Sequence, residues 1–465
     1  MDQQTSINRK SQFLIAAPMS GSGKTTLSCG LMSLFTRKGW KVQPYKCGPD
    51  YIDTKYHLAS CGHPSINLDR FMASDQHLQQ LYASHAQDAD ICIVEGMMGM
   101  YDGYERDRGS SADIARLLHL PVVLVVDARS AAYSMAPLLS GFLHFRPEVE
   151  VAGVIFNRVG SEKHYAMLRE VCEDLDVNCL GYLPREKGLE QESRYLGLDF
   201  SRMDGGQGDK LVALLEKYVD WKLLLEKTKQ PFSMEKTVFS SSENNVEQNA
   251  STAQSSSTEK PKHILVARNE ESFSFLYEEH LEILRRLGKV SFFNPEQDFP
   301  IPTNIDLLYL PGGYPEKHAE ALSRARRTLV SIREYIEGGG HTLAECGGMI
   351  YLSQGICFDD ANAEHGSYEP MVGVLPFVIS NQKQYRRLNL GYRQFEYQGQ
   401  RLKGHEFHYT RILPEENKML PASIAQVFDA RGREVDTPIF RYKNTIASYT
   451  HLYWGEAEKW IIDNG

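Results

Sequence analysis

The chain lacks any long hydrophobic run. No stretch of its 465 residues approaches the uninterrupted apolar length of a membrane span, so no membrane partner is expected. The opening segment MDQQTSINRKSQ is polar and has no apolar centre of a secretory signal, which points to a cytoplasmic protein. Positive charge is also short. With 51 Lys and Arg against 60 Asp and Glu the net charge is −9, leaving no basic surplus to neutralise phosphates, and no nucleic-acid partner is expected. Cysteines are sparse and unpatterned: the eight show no framework spacing and no CxxC pair, so reduced thiols are expected rather than disulfides.

What is present is the composition of a globular protein, 42% hydrophobic and 24% charged, on a chain too long for one core. The first half alternates helical stretches with short β-branched runs. Phe13–Ala17, Ile91–Val94, Val122–Val126 and Val151–Phe156 read as strands, the last three ending in Glu95, Asp127 and Asn157. Continuous runs of this kind predict parallel strands covered on both faces, with polar residues gathered at the carboxyl edge where α/β sheets place ligands. From Ser240 to Lys260 almost nothing can be buried, and after it His263–Ala267 restarts an α/β pattern. The expected division is a first domain at 1–228, a flexible Ser/Asn/Gln-rich linker at 229–261 and a second domain at 262–465.

Between the first strand and the first helix lies Pro18-Met19-Ser20-Gly21-Ser22-Gly23-Lys24-Thr25-Thr26. Glycines let backbone N–H groups turn toward phosphate oxygens, Lys24 would reach the β- and γ-phosphates, and the Thr25 hydroxyl would ligate Mg²⁺. Pro18 stands where the usual pattern has glycine, so the loop is taken as one residue longer, from Ala17. ATP contacts are expected from Ser20, Gly21, Gly23, Lys24, Thr25 and Thr26. Glu95 is expected opposite the loop as a metal holder; a strand-end carboxylate paired with a lysine is the alternative. Asp50 and Asp53, in a turn-rich segment near Lys46, would coordinate Mg²⁺, orient substrate or simply be solvated. Asn157 is either a base-reading amide or a turn former.

The second half carries Ala344-Glu345-Cys346-Gly347-Gly348-Met349, a β-favouring run entering a cysteine and two glycines. That is the pattern of a nucleophile elbow, and a helix beginning there would favour the thiolate through its dipole. Pro311-Gly312-Gly313 at a strand end and Gly347 would supply oxyanion donors, while His405, His408 and His451 are candidate bases.

Pro-Gly-Gly-Tyr-Pro-Glu at 311–316, Ala-Glu-Cys-Gly-Gly-Met at 344–349 and Ser-Tyr-Thr-His at 448–451 resemble a class I glutamine amidotransferase domain. The first half resembles the dethiobiotin-synthetase-like ATPases. Joined, and with Gly48–Asp53, Glu95–Gly103, Ser110–Asp113 and Gly404–Tyr409, the chain resembles the corrinoid amidotransferases over nearly its whole length. The implied fold is α/β throughout: a P-loop NTPase parallel-sheet domain followed by a flavodoxin-like amidotransferase domain. The resemblance implies Cys346 as nucleophile, His451 as base, Gly313 and Gly347 as oxyanion hole, and His405 and His408 as structural or interdomain residues. Many amidotransferases carry a glutamate two residues after the histidine, but here that position is Tyr453. A Cys–His dyad is therefore expected, with Glu456 as the alternative acid.

The implied reaction is ATP- and Mg²⁺-dependent phosphorylation of the a and c carboxylates of cobyrinate, then amidation by ammonia from glutamine. Asp102 and Arg194 are carried as substrate-side residues, and a homodimer is compatible with the resemblance. Hydrogenobyrinate or nickel-sirohydrochlorin amidation and cobyric acid synthesis share this chemistry. A partitioning-type switch ATPase is the rival from another class.

Overall fold

The computed structural model describes residues 9–186, 207–232, 262–359, 367–414, 419–458 and 460–461. Arg194 lies outside them. The chain divides into two compact units, 1–242 and 243–465. Among the described residues no helix is long and apolar enough to cross a membrane.

Unit one opens with β1 (Arg9–Ala16), α1 (Lys24–Arg37), β2 (Val42–Cys47), α2 (Asp53–Cys61), β3 (Ile66–Leu68) and α3 (Asp75–Ala86). It continues through β4 (Ile91–Glu95), α4 (Ser111–Leu118), β5 (Val122–Asp127), α5 (Met135–His144), β6 (Val151–Val159), α6 (Glu162–Asp174) and β7 (Cys179–Pro184). Helices α7 (Gln207–Tyr218) and α8 (Trp221–Lys227) and strand β8 (Lys229–Pro231) close it. The sheet runs β3-β2-β4-β1-β5-β6-β7 and is parallel throughout, with β8 antiparallel to the start of β1. Phe13, Ile15, Val123 and Val125 are buried with Leu27, Leu31 and Phe35 of α1, which is why these strands are apolar on consecutive residues. Register then sets the site: Glu95 lies opposite both Ile15 and Lys46, and Asp127 opposite Asn157. The segment expected as linker is corrected at its start. Lys229–Pro231 pair with Arg9–Ser11, because an open rung at the edge of β1 is satisfied by returning chain.

Unit two begins with β9 (Lys262–Ala267), α9 (Glu278–Leu287), β10 (Gly288–Phe293), β11 (Leu307–Leu310), α10 (Ala319–Arg324), α11 (Arg326–Glu337), β12 (His341–Glu345) and α12 (Gly347–Leu352). Short strands follow: β13 (Gly355–Phe358), β14 (Ser367–Pro370), β15 (Phe377–Ser380), β16 (Asn389–Tyr397), β17 (Gln400–His408) and β18 (Arg411–Pro414). The last are β19 (Val427–Phe428), β20 (Glu434–Val435), β21 (Ile439–Tyr442), β22 (Thr445–Ser448) and β23 (Thr450–Leu452). The main sheet is β10-β9-β11-β12-β22-β21, with a four-stranded sheet β14-β13-β15-β18 and a five-stranded sheet β20-β19-β16-β17-β23 beside it. The central strands are parallel and only β21 runs against them. These two smaller antiparallel-rich sheets are an addition that the alternating strand-helix pattern did not announce.

The turn from β12 into α12 is held at close quarters. A Cβ on Gly348 would lie 2.0 Å from the Leu310 carbonyl oxygen, a backbone atom that cannot move aside without disturbing β11. Gly348→Ala is therefore expected to destabilise unit two by about 1–3 kcal/mol, as forced overpacking does, read as an earlier urea midpoint.

Candidate active sites

The loop after β1 carries its lysine at the first turn of α1. Gly23, at φ 99°, turns the chain, and its missing side chain leaves room for the Asn157 amide. That amide donates to the Ser22 carbonyl at 2.8 Å while its oxygen accepts from the Arg158 N–H at 2.9 Å. Asn157, expected as a base reader or turn former, here buttresses the loop. Arg158 adds a second tie, bonding the Gly21 carbonyl at 2.8 Å and Asp127 at 2.6 Å. Next to these residues a cavity of about 660 Å³ is bounded by Pro18, Ser22, Asp127, Arg158, His164 and Arg185. Lys24 is buried, with Nζ 2.5 Å from the Met98 carbonyl. Asp102 is exposed and accepts from the Gly99 N–H at 2.9 Å, tying that neighbouring loop. Ser20 and Gly21 are exposed at the loop tip and Thr26 is half-buried.

A cluster of buried charge lies beside the loop. Lys46, next to last in β2, places its ammonium 2.6 Å from Asp53 and 2.9 Å from Glu95. The Thr25 hydroxyl donates to Glu95 at 2.7 Å and lies 3.4 Å from Asp53. His57 of α2 bonds Glu95 at 2.7 Å and Ser65 at 2.9 Å through its other nitrogen. Burial pushes the Glu95 carboxyl up, but Lys46 and the bonded His57 outweigh it and hold it well below the usual range. Asp53 goes the other way, up to about 7, through burial and the neighbouring Asp50. Asp50 is not part of the convergence: one oxygen accepts from the Ile52 and Asp53 N–H groups at 2.9 Å each, and the other stands 4.0 Å from Lys46. It caps the start of α2.

Among the described residues no three His, Cys, Asp or Glu side chains form a metal cage. Thr25, Asp53 and Glu95 instead bring a hydroxyl and two carboxylates together, hard oxygen donors of the kind Mg²⁺ takes sparingly while keeping waters and substrate phosphate. The donor set fits. Lys46 was noticed in the sequence only as a neighbour of the acids; a lysine near the end of a buried strand was the available signal. His57, inside a helix, had none.

In unit two Cys346 sits between β12 and α12 at φ 46°, ψ −100°, a backbone conformation that costs a non-glycine residue roughly 1–3 kcal/mol and is sustained by its surroundings. Its N–H donates to the Ser448 carbonyl at 2.7 Å, and the preceding Glu345 accepts from the Leu452 N–H at 3.2 Å. These two bonds bracket His451, which is buried on β23 directly opposite His405. The His451 ring packs on Gly312, where a Cβ would come within 2.0 Å of it. A Cβ on Gly347 would lie 2.9 Å from the Gly313 nitrogen, so the two amides expected as oxyanion donors are neighbours. The thiol faces the Phe407 carbonyl at 3.7 Å.

The electrostatics correct one expectation. Burial, with Glu316 and Glu406 nearby, raises the Cys346 thiol well above its ordinary value, so the short α12 does not make a resting thiolate. Burial, with His405 and His408, lowers His451 to about 3 and keeps it neutral. Both groups are thereby held in their uncharged forms. Tyr453, in the position of the usual glutamate, bonds Glu279 of α9 at 2.5 Å, and Glu456 is exposed in the turn beyond. His408 bonds Glu406 at 2.7 Å and stacks on Tyr449 at 3.5 Å, a structural engagement.

The fold and these sites define a two-unit enzyme: a nucleotide-binding parallel sheet joined to a thiol-dependent glutamine amidotransferase. Residues 13–197 match the CobQ/CobB/MinD/ParA nucleotide binding domain, and residues 263–459 match the CobB/CobQ-like glutamine amidotransferase domain. A cobyrinate a,c-diamide synthase of Caldanaerobacter subterraneus subsp. tengcongensis is 39% identical over 457 residues, 95% of this chain and 94% of that protein. A hydrogenobyrinate a,c-diamide synthase of Brucella anthropi is 39% identical over 449 residues, 95% of this chain and 98% of that protein. A cobyrinate a,c-diamide synthase of Priestia megaterium is 35% identical over 463 residues, 97% of this chain and 95% of that protein. The chain belongs to the cobyrinate and hydrogenobyrinate a,c-diamide synthase family, glutamine-hydrolysing carbon–nitrogen ligases, and the switch-ATPase alternative falls away.

Two outcomes follow from the geometry. Lys46→Met leaves Glu95 and Asp53 facing each other without their cation, and urea denaturation should show a loss of about 3–5 kcal/mol, partly recovered by added Mg²⁺. Since the thiol is raised, alkylation of Cys346 by iodoacetamide, followed by mass spectrometry, should still be accelerating at pH above the model-thiol range of about 8.5, without a plateau there.

Proposed function

We propose that this chain converts the a and c carboxylates of cobyrinate to amides, using ATP in unit one and glutamine in unit two. The observation that carries the reading is the presence, on one chain with relatives alike over both units, of a phosphate loop ending at Lys24 and a thiol elbow at Cys346 flanked by His451, Gly313 and Gly347. Free cysteines throughout, with no disulfide, agree with a cytoplasmic setting.

A carboxylate resists attack by ammonia because oxide is a poor leaving group. Phosphorylation by ATP replaces it with phosphate. In unit one the loop N–H groups and Lys24 hold the phosphates, and the cavity walled by Asp127, Arg158 and Arg185 takes the rest of the nucleotide. Thr25, Asp53 and Glu95 would hold Mg²⁺, which when bound neutralises phosphate charge. Lys46, between Asp53 and Glu95, keeps the two carboxylates from repelling one another. In unit two His451 takes the Cys346 proton as sulfur attacks the glutamine amide carbon. Gly313 and Gly347 N–H groups steady the oxyanion, His451 returns the proton to the leaving ammonia, and water clears the thioester as glutamate.

A second reading, hydrogenobyrinate as the macrocycle, is favoured by the equally similar Brucella relative. Mass analysis of products from each macrocycle with ATP, Mg²⁺ and glutamine separates the two. In the same assay Cys346→Ala is expected to fail with glutamine and to keep native turnover with added ammonia. A variant that ammonia does not rescue would sink the division of labour.

A further inference from the structure

Three arginines of unit two line one concavity that no step above uses. Arg386 and Arg387 lie in the turn before β16 and Arg411 opens β18; with Tyr385, Ile412 and Leu413 they bound about 450 Å³. The Arg387 N–H donates to the Tyr409 carbonyl at 3.1 Å, extending the β16–β17 hairpin past the Phe407 carbonyl that faces the thiol. Arg386 lies over the Tyr409 ring at 5.6 Å. None of the three guanidiniums is within ion-pair distance of a carboxylate among the described residues. Glu316 feels Arg386 without lining the cavity. Three arginines without an ion pair among the described residues, gathered on a chain of net charge −9, are poised for an anion.

The lining says which anion. Guanidinium groups take carboxylates in a bidentate fork. A zwitterionic amino acid would also need an acid for its ammonium, and among the described residues no carboxylate lines the space. Tyr385, Ile412 and Leu413, with Leu388 and Leu390 exposed alongside at 44% and 57%, offer apolar surface to a hydrocarbon framework. Several carboxylates on one largely apolar body is the description that satisfies both features.

We propose that this cavity is a binding site for carboxylate arms of the macrocyclic substrate, held by Arg386, Arg387 and Arg411. The identity of the macrocycle rests on the reading under Proposed function; the polycarboxylate character of the site does not.

The test uses the full chain and the variant carrying Arg386→Ala, Arg387→Ala and Arg411→Ala. Both are titrated with uroporphyrin, an unreactive macrocycle bearing only carboxylate arms, followed by its fluorescence. The variant is expected to bind at least about tenfold more weakly, with less salt dependence, as loss of charge-assisted contacts predicts. In ammonia-driven amidation its macrocycle KM should rise with kcat held, while KM for glutamine in the glutaminase assay and KM for ATP stay native. Unchanged uroporphyrin binding and macrocycle KM overturn the proposal. A rise in glutamine KM alone overturns it too, since the carboxylate would then be that of the amino acid. Should the triple variant unfold, the single variants in the same titration decide. Uroporphyrin binding that depends on the arginines, in an enzyme that turns over neither macrocycle, would sink the substrate reading and leave the site standing.

Discussion

A buried ammonium flanked by two carboxylates is the constraint on which unit one depends. Lys46 has 1% of its side chain exposed, and a charge taken out of water at that depth is tolerable only when paired and hydrogen-bonded. Its partners arrive by parallel register, which sets Glu95 of β4 beside Lys46 of β2, and by the turn that brings Asp53 to the start of α2. Thr25 and His57 add two further hydrogen bonds to Glu95. The lysine satisfies the carboxylates, and their oxygens are the ones proposed above to hold Mg²⁺.

Unit two solves a related problem with dipoles rather than charges. A thiol in a dry pocket among Glu316, Glu345 and Glu406 resists ionisation. The neutral imidazole of His451 resists protonation for the same reason. In the mechanism proposed above, proton transfer from one to the other would create both charges together. The strained backbone at Cys346 is accompanied by the close approach of Gly347 to Gly313, the two residues proposed above as oxyanion donors. Tyr453, where many amidotransferases carry a glutamate, bonds Glu279 of α9.

Much of this was legible along the chain. Continuous apolar runs announced parallel strands, and their terminal polar residues announced the ligand edge. Gly-Lys-Thr and the Cys-Gly-Gly elbow are local patterns, because the turn geometry they require is made by adjacent residues. Lys46, His57 and Glu279 were not legible as parts of a site, since each acts through a partner on another element. The helix dipole at Cys346 misled, because a local effect of α12 was weighed without the burial that overrides it. The tie that Asn157 makes between Ser22 and Arg158 was not legible either, since Ser22 lies on a distant loop.

The sequence by itself carried the parallel-strand pattern, the phosphate loop and the Cys-Gly-Gly elbow, since each rests on residues close together along the chain. Only the tertiary structure decided how the charges are shared. Whether a carboxyl is held low like Glu95 or raised like Asp53, whether a thiol rests protonated, and which arginines gather around one cavity depend on burial and on neighbours from distant strands. Electrostatic energy varies with distance and solvent access, and neither quantity exists until the chain has folded.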